Sequence, residues 1–326
     1  MGFDRRGAGH AARMQIGYKL MAEGFGPREL IRQAVRAEEA GFDFVEISDH
    51  FHPWLDVQGH SPYAWTVLGA VAARTEKLRL ATGVTCPSVR YHPAIVAQAA
   101  ATLAIISDDR FTLGVGAGER LNEHVVGQGF PSVRGRHERL VEALDIINLL
   151  WQGGYQSYEG KHLQLEDARV FDLPERLPVI AVAAGGKDAA ELAATRGGGL
   201  FATEPRKDLV EAYAAKGGRG PKYAEIPVAW GPDAIEAAHK TSRWALTGWR
   251  VMSELPNPAN FEAASELIRP EDVAEQFAHG PDAGPYVTAF REYADAGFDH
   301  LVFMNAGPDP DGFLDFFAKE LRPALS

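Results

Sequence analysis

The sequence contains a single cysteine, Cys86, and this scarcity limits the chemistry available to the chain. An intramolecular disulfide needs two cysteines, so none can form, which is typical of proteins in a reducing compartment. We therefore expect a cytoplasmic location. Cys86 precedes Pro87 in an apolar setting, and we interpret it as inert packing.

Long apolar runs and clusters of basic residues are also missing. Because no apolar run approaches ~18 residues, the sequence offers no candidate transmembrane helix. The formal net charge is −11, and an acidic chain without basic clusters argues against nucleic acid as the main partner. Residues 1–13 carry three arginines and no apolar block, so we interpret them as a flexible extension rather than a secretory signal. We therefore expect neither a membrane nor nucleic acid as a partner.

What the sequence does contain is a regular alternation of short apolar runs and amphipathic helical segments. Its 326 residues, 46% of them hydrophobic, are enough for one barrel of roughly 250 residues with insertions. Continuous apolar strands are typical of a parallel sheet covered by helices. The candidate strands are Gln15–Leu20, Phe44–Ser48, Leu78–Val84, Phe111–Val115, Val179–Ala183, Leu200–Ala202, Ile226–Trp230 and Leu301–Met304.

Helical signals lie between these strands. Pro27 and Pro93 stand where a first-turn proline belongs, and apolar residues recur at helical spacing over His137–Trp151. Ala40–Asp43 and Ala296–Asp299 repeat one pattern, in which a helix ends on glycine and a strand follows at once. An open doubly wound sheet could also show this pattern, but eight strand candidates favour closure. We therefore predict an α/β fold of the (β/α)₈ TIM-barrel type.

Two stretches do not fit the repeat. Residues 152–178 predict a small hairpin before the fifth strand. Residues 231–284 predict a helical excursion over the barrel mouth before the eighth strand, where insertions commonly shape substrate pockets. Since no linker rich in proline or serine divides the chain, we expect residues 14–326 to form a single barrel domain.

Polar residues just after each strand are the candidates for chemistry, because the carboxyl ends of barrel strands face the active site. The densest group is Asp49-His50-Phe51-His52-Pro53-Trp54, after the second strand. His50 can accept or donate a proton near neutral pH, and Trp54 can wall a planar ligand. The same residues could instead be packing at the rim. We predict no metal site, because His50 and His52 lack a third ligand at a convincing spacing.

Two glycine-rich turns supply further candidates. The run Gly114–Gly118 lets a ring approach the backbone, and Glu119 after it could exchange a proton with a cofactor. The run Ala183–Gly186 precedes a helix whose free N–H groups suit a phosphate. Taken alone, each run could equally be an ordinary turn.

Taken together, these segments resemble the luciferase-like superfamily, and more closely its deazaflavin (coenzyme F420) dehydrogenases of the glucose-6-phosphate dehydrogenase type. The matching stretches run in the same order across nearly the whole chain from Met14. They are Ile16–Lys19 with Glu23, Ser48–Trp54, Gly114–Glu119 followed by Leu121–Glu123, Ala183–Gly186 and His300–Phe303. The resemblance implies coenzyme F420 as cofactor, a small-molecule substrate and, by analogy, a homodimer.

The resemblance also implies roles at matching positions. His50 would be the base that takes the substrate hydroxyl proton, and Trp54 would pack beside the reacting centre. Glu119 would handle the proton at the deazaflavin ring, and Glu23 would orient the substrate or His50. A cis peptide would join Gly83 and Val84. The cofactor would be lined by Asp49, Gly83, Val84, Thr85, Gly118, Asn122, Ala183, Ala184, Gly185 and Thr203.

The sequence departs from the sugar-phosphate members of this family at their phosphate-binding positions. Arg206, with Lys207 beside it, matches one basic position, whereas Ala263 and Gln276 fall near the other two. One cation would match a buried phosphate poorly, so we expect another alcohol, a sugar, or a carbonyl reduced in the opposite direction. The alternatives are an FMN-dependent monooxygenase of the same fold and a non-catalytic cofactor carrier.

Overall fold

The computed structural model describes residues 14–246 and 251–325, so the predicted extension over residues 1–13 lies outside the described residues. Eight parallel strands close into a barrel in the order β1-β2-β3-β4-β7-β8-β9-β11, and β11 pairs again with β1. The predicted (β/α)₈ barrel is therefore confirmed. The strands are β1 (Gln15–Leu20), β2 (Phe44–Ile47), β3 (Arg79–Thr82), β4 (Phe111–Val115), β5 (Gln156–Glu159), β6 (Gln164–Ala168), β7 (Val179–Ala183), β8 (Gly199–Ala202), β9 (Lys222–Ala229), β10 (Ala278–His279) and β11 (His300–Asn305).

Helices cover the outside of the barrel. Within the two described ranges, no helix combines the length and the apolar character that crossing a membrane requires. The helices are α1 (Pro27–Ala40), α2 (Ala64–Ala72), α3 (Pro93–Ile106), α4 (Arg120–Glu123), α5 (Val133–Leu150), α6 (Lys187–Arg196), α7 (Lys207–Ala215), α8 (Ala234–Ser242), α9 (Pro258–Ala264), α10 (Pro270–Gln276), α11 (Ala283–Asp295), α12 (Pro310–Phe316) and α13 (Arg322–Ala324).

The repeated helix–glycine–strand pattern has the expected backbone. Gly41 after α1 has φ 90°, and Gly297 after α11 has φ 100°, both in the left-handed region that glycine adopts at little cost. The N–H groups of Gly41 and Phe42 donate to carbonyls of the last turn of α1, which ends the helix at once. Each helix can therefore return the chain directly to the next strand of the barrel.

Two elements, β9 and α5, begin four residues earlier than the sequence predicts. Strand β9 begins at Lys222 rather than at Ile226, because Lys222 pairs with Asp299 and Glu225 pairs with Lys19. In the sequence these charged residues suggest a loop, but in the structure each of them is paired with an opposite charge. Helix α5 begins at Val133 rather than at His137, after Ser132, whose hydroxyl accepts the N–H of Gly135.

The barrel interior is filled by side chains. A buried apolar cluster comprises Phe44, Ala181, Phe201, Tyr223 and Val302. Such an interior is a packed core rather than a pore, so a ligand reaches only the rim formed by the strand ends. The functional residues must therefore be sought on the loops that follow the strands.

Two insertions interrupt the repeat. The antiparallel pair β5–β6 lies between α5 and β7, the fifth strand of the barrel. Between β9 and α11 the chain forms α8, α9, α10 and the short strand β10, which pairs with β9. Trp244 and Phe261 from this excursion contact Trp54, so the excursion packs against the loop that follows β2.

Candidate active site

The ring of His50 and the carboxylate of Glu23 meet at the carboxyl ends of two neighbouring strands. Glu23 follows β1 and His50 follows β2, and these strands pair in parallel. His50 Nδ1 lies 2.8 Å from Glu23 Oε1, within ion-pair distance. Since Nδ1 faces Glu23, Nε2 is the nitrogen of His50 that can face a substrate.

Burial and neighbouring charges set the protonation states of this group. Burial lowers the pKa of His50, but the carboxylates of Glu23 and Glu119 outweigh it, so the pKa is raised. Burial raises the pKa of Glu23, but His50 and Lys19 outweigh it and lower this pKa to about 2. Burial raises the pKa of Glu119 despite the opposing charge of His50. The site thus combines an ionised carboxylate with one that more readily holds a proton.

Three aromatic side chains form a wall beside His50, which we call the aromatic wall (Trp54, Trp244 and Phe261). The rings of His50 and Trp54 have centroids 5.0 Å apart and planes at 76°. Trp54 stacks on Trp244 with centroids 4.0 Å apart and meets the edge of Phe261 at 4.9 Å. Sequence reasoning found Trp54 but missed the other two. Their only signal was their aromatic character within the predicted excursion.

Asp49 is held by a network of protein donors. Its Oδ1 accepts from Arg90 Nη2 at 3.1 Å and from Tyr91 at 3.0 Å. Its Oδ2 accepts from Thr85 Oγ1 at 2.7 Å and from Trp65 Nε1 at 3.2 Å. The side chains of two predicted cofactor residues, Asp49 and Thr85, therefore bond to each other and fix the loop that carries His50.

Asn122 performs a similar task from the loop after β4. Its Oδ1 accepts the backbone N–H groups of Phe51 at 2.9 Å and His52 at 3.3 Å. The ring of His52 in turn bonds through Nδ1 to the carbonyl of Leu121, at 2.9 Å. The loops after β2 and β4 are thus tied together around His50.

Across the described ranges, no group of three or more His, Cys, Asp or Glu side chains is arranged to hold a metal ion.

Gly118 lies directly over Cys86. Its φ of 84° is in the left-handed region, and a Cβ there would lie 2.7 Å from Cys86 Sγ. Cys86 is buried, and burial raises the pKa of its thiol to about 12. A thiol that remains protonated at neutral pH is a poor nucleophile, which agrees with a packing role for this cysteine.

The Gly83–Val84 peptide bond is cis, at the predicted position. The side chain of Val84 lies against β4, because a Cβ at Gly116 would approach Val84 Cγ2 to 2.8 Å. A Cβ at Gly83 would overlap the carboxyl group of Glu46. Glycine at position 116 therefore lets the Gly83–Val84 segment approach the end of β4, and glycine at position 83 lets it approach Glu46 of β2.

The loops after β7 and β8 are more open. Ala184 is buried next to Ala183, and its N–H donates to the carbonyl of Phe201 at 2.9 Å. Cβ atoms placed on Gly185 or Gly186 would meet no protein atom within 4 Å. Thr203 is exposed, and its carbonyl accepts from Tyr293 at 3.3 Å. This open space ends at the first turn of α6, where backbone N–H groups favour an anion.

Arg206 and Lys207 lie at the start of α7. Arg206 makes two hydrogen bonds to Asp208, at 2.7 and 2.5 Å, and its side chain is 41% exposed. Lys207 lies 3.8 Å from Glu211, and its side chain is 71% exposed. Each predicted substrate cation is therefore paired with an acid of its own helix in an exposed position.

A charged group inside the barrel was missed by sequence reasoning. We call it the interior charge cluster (Lys19, Glu46 and Glu225). Lys19 Nζ lies 2.6 Å from both Glu46 Oε1 and Glu225 Oε1, which brings residues of β1, β2 and β9 together. The available signal was the presence of single charges within apolar strand runs, in Ile16–Leu20 and Phe44–Ile47.

Comparison with known proteins identifies the family. Residues 8–300 match the luciferase-like monooxygenase family model, and the chain belongs to that family. F420-dependent glucose-6-phosphate dehydrogenases of Tsukamurella paurometabola and Nocardia farcinica are 39% and 37% identical, over 96% of this chain and 98% of each relative. A solved F420-dependent secondary alcohol dehydrogenase, in complex with an F420–acetone adduct, is 29% identical with a TM-score of 0.88. That comparison covers 96% of this chain and 99% of the other.

Proposed function

We propose that this chain is a coenzyme F420-dependent oxidoreductase that exchanges a hydride between the deazaflavin and a small alcohol, sugar or carbonyl substrate. The observation that carries the proposal is the contact between His50 and Glu23 at the barrel rim. It supplies a base beside an ionised carboxylate, as oxidation of a hydroxyl group requires. The names of the F420-dependent relatives support the choice of cofactor.

The residues at the rim fit such a cofactor. The space beside Gly185 and Gly186, at the start of α6, can take the phosphate of the cofactor. The backbone at Gly83–Val84 and Gly116 offers a surface of small residues on which a planar ring can rest. When bound, F420 supplies a ring carbon that accepts or returns a hydride.

The chain itself manages the protons and the orientation of the substrate. His50 takes the hydroxyl proton through Nε2 as the substrate is oxidised, and Glu23 stabilises the resulting imidazolium. A positioned base of this kind contributes about 10²–10⁴-fold to the rate. Glu119 holds the proton that is exchanged at the cofactor ring, a role suited to a carboxyl group whose pKa is raised by burial.

The surroundings favour a neutral substrate over a sugar phosphate. The aromatic wall offers an apolar surface beside His50. Arg206 and Lys207 are exposed and paired, and a phosphate would have to compete with Asp208 and Glu211 for them. A small secondary alcohol or its ketone therefore fits this part of the rim better than glucose 6-phosphate.

The test is a titration of the purified protein with F420 and, separately, with FMN, followed by turnover assays. We expect tight binding of F420, reduction of F420 by 2-propanol, and slower reduction by glucose 6-phosphate, read from the loss of F420 absorbance. The reverse assay uses reduced F420 and acetone. Tight binding of FMN without binding of F420 would overturn the proposal in favour of an FMN-dependent monooxygenase.

A further inference from the structure

The interior charge cluster lies next to the Gly83–Val84 segment, and this contact gives Lys19 a role. We propose that Lys19 is a positioning residue that holds the Gly83 carbonyl, and with it the surface on which the cofactor ring rests. The inference depends on the proposed function, because it takes F420 as the ligand at the rim. It adds to that function a residue that touches neither cofactor nor substrate.

The first argument is the number of contacts at the ammonium group. Lys19 Nζ donates to Glu46 Oε1 and Glu225 Oε1, both at 2.6 Å, and to the carbonyl of Gly83 at 3.0 Å. An ammonium group has three N–H donors, so these acceptors use all of them. The two carboxylates therefore fix the direction of the third donor, which is the one that holds Gly83.

The second argument is the burial of this group. The side chains of Lys19, Glu46 and Glu225 are 4%, 0% and 14% exposed. Replacing a buried ion pair with apolar residues of similar volume is often neutral or stabilising, so stability alone does not account for such a group. Another part of the same barrel interior, around Phe44 and Val302, is packed with apolar side chains.

The third argument is a second contact between the cluster and the segment. A Cβ at Gly83 would overlap the Glu46 carboxyl group, so Glu46 packs directly against the α-carbon of Gly83. The N–H of Gly83 donates to the carbonyl of Ile47 at 2.8 Å. Gly83 is thus held at its nitrogen, its α-carbon and its carbonyl, and Lys19 supplies the only charged donor among these contacts.

The two carboxyl groups play unequal parts. Burial raises the pKa of Glu46, the less exposed partner. Burial would also raise the pKa of Glu225, but the charge of Lys19 outweighs it and the pKa is lowered. Glu225 is therefore the counter-charge of Lys19, and Glu46 is the group that more readily holds a proton.

The experiment measures F420 affinity by fluorescence titration of the full-length protein. We expect Lys19→Met to weaken binding at least about tenfold, and the absorbance spectrum of F420 at saturation to move towards that of free F420. Glu225→Gln should also weaken binding, because it removes a carboxylate that fixes the direction of the Lys19 ammonium group. The double variant Lys19→Met/Glu225→Gln removes Lys19 together with its counter-charge, and it serves where Lys19→Met does not fold.

The matched control is Lys222→Met. Lys222 also pairs with a neighbouring carboxylate, that of Asp299. It is the first residue of β9, however, and so lies at the end of the strand away from the rim. We expect this variant to lower the melting temperature and leave F420 affinity unchanged. A folded Lys19→Met/Glu225→Gln protein with wild-type affinity and spectrum would overturn the inference, as would an equal loss in Lys222→Met. A wild-type protein that does not bind F420 would instead overturn the proposed function.

Discussion

The two halves of the barrel rim hold their polar residues in opposite ways. After β1, β2 and β4, the charges of Glu23, His50 and Glu119 are enclosed and act on one another. After β8, Arg206 and Lys207 are exposed and pair with acids of their own helix. Solvent screens the exposed charges far more than the enclosed ones. The first half is thus suited to proton transfer, and the second half offers mainly open backbone for binding.

The largest effect should follow from His50→Ala. Removing the base should lower kcat/KM for 2-propanol by about 10²–10⁴-fold, while F420 affinity stays within about twofold. The matched control is His52→Ala, because His52 lies on the same loop but bonds to the carbonyl of Leu121. Unchanged turnover in His50→Ala would show that the first half does not supply the base and that the proposed mechanism is wrong.

A smaller effect, with a diagnostic pH dependence, should follow from Glu23→Gln. Neutral His50 is the form that accepts a proton, so alcohol oxidation rises with pH as His50 loses its proton. The Glu23 carboxylate raises the pKa of His50, so its removal should move the rise in oxidation rate to lower pH. The charges of Glu119, which raises this pKa, and Lys19, which lowers it, still act on the ring in the variant. The measurement is the pH profile of kcat/KM, with an overall loss on the order of ten- to hundredfold from poorer orientation. A rise that moves to higher pH would contradict the assigned pair.

Gly185→Ala tests the binding role of the second half. The added methyl group meets no protein atom within 4 Å, so the melting temperature should not change. It would occupy space proposed for the cofactor, and F420 affinity should fall by about three- to tenfold, roughly 1 kcal/mol. The control is Gly69→Ala in α2, where space is equally open but distant from the proposed site. Equal affinity in both variants would remove Gly185 from the cofactor site.

The smallest effects should follow from Arg206→Ala and Lys207→Ala. Exposed ion pairs contribute little, so turnover of 2-propanol should stay within about twofold of wild type. Turnover of glucose 6-phosphate should be equally insensitive. A selective loss of glucose 6-phosphate turnover in Arg206→Ala would reveal a phosphate site after β8 and would break the contrast between the two halves.

The sequence predicted the strand ends well, and with them the positions of Glu23, His50 and Glu119. Apolar runs bounded by glycine, aspartate or proline mark where a strand stops, and the residues after it must lie at the rim. It did not predict the partners of Trp54. Trp244 and Phe261 reach Trp54 only through the path of the excursion, which no local pattern encodes.

The interior charge cluster escaped prediction for a related reason. A single lysine or glutamate within an apolar run predicts a strand but not a partner across the barrel. The link between Lys19 and Glu225 depends on closure, since it joins the first strand to the seventh strand of the barrel. Early strand charges, such as Lys222, instead made β9 look shorter than it is.

The aromatic wall is divided between two separate parts of the chain. Trp54 belongs to the loop that also carries His50, whereas Trp244 and Phe261 belong to the excursion between β9 and α11. The excursion residues of the wall can therefore be exchanged by design without altering the loop that carries His50. We expect such an exchange to change substrate preference and to leave the proton-transfer residues in place.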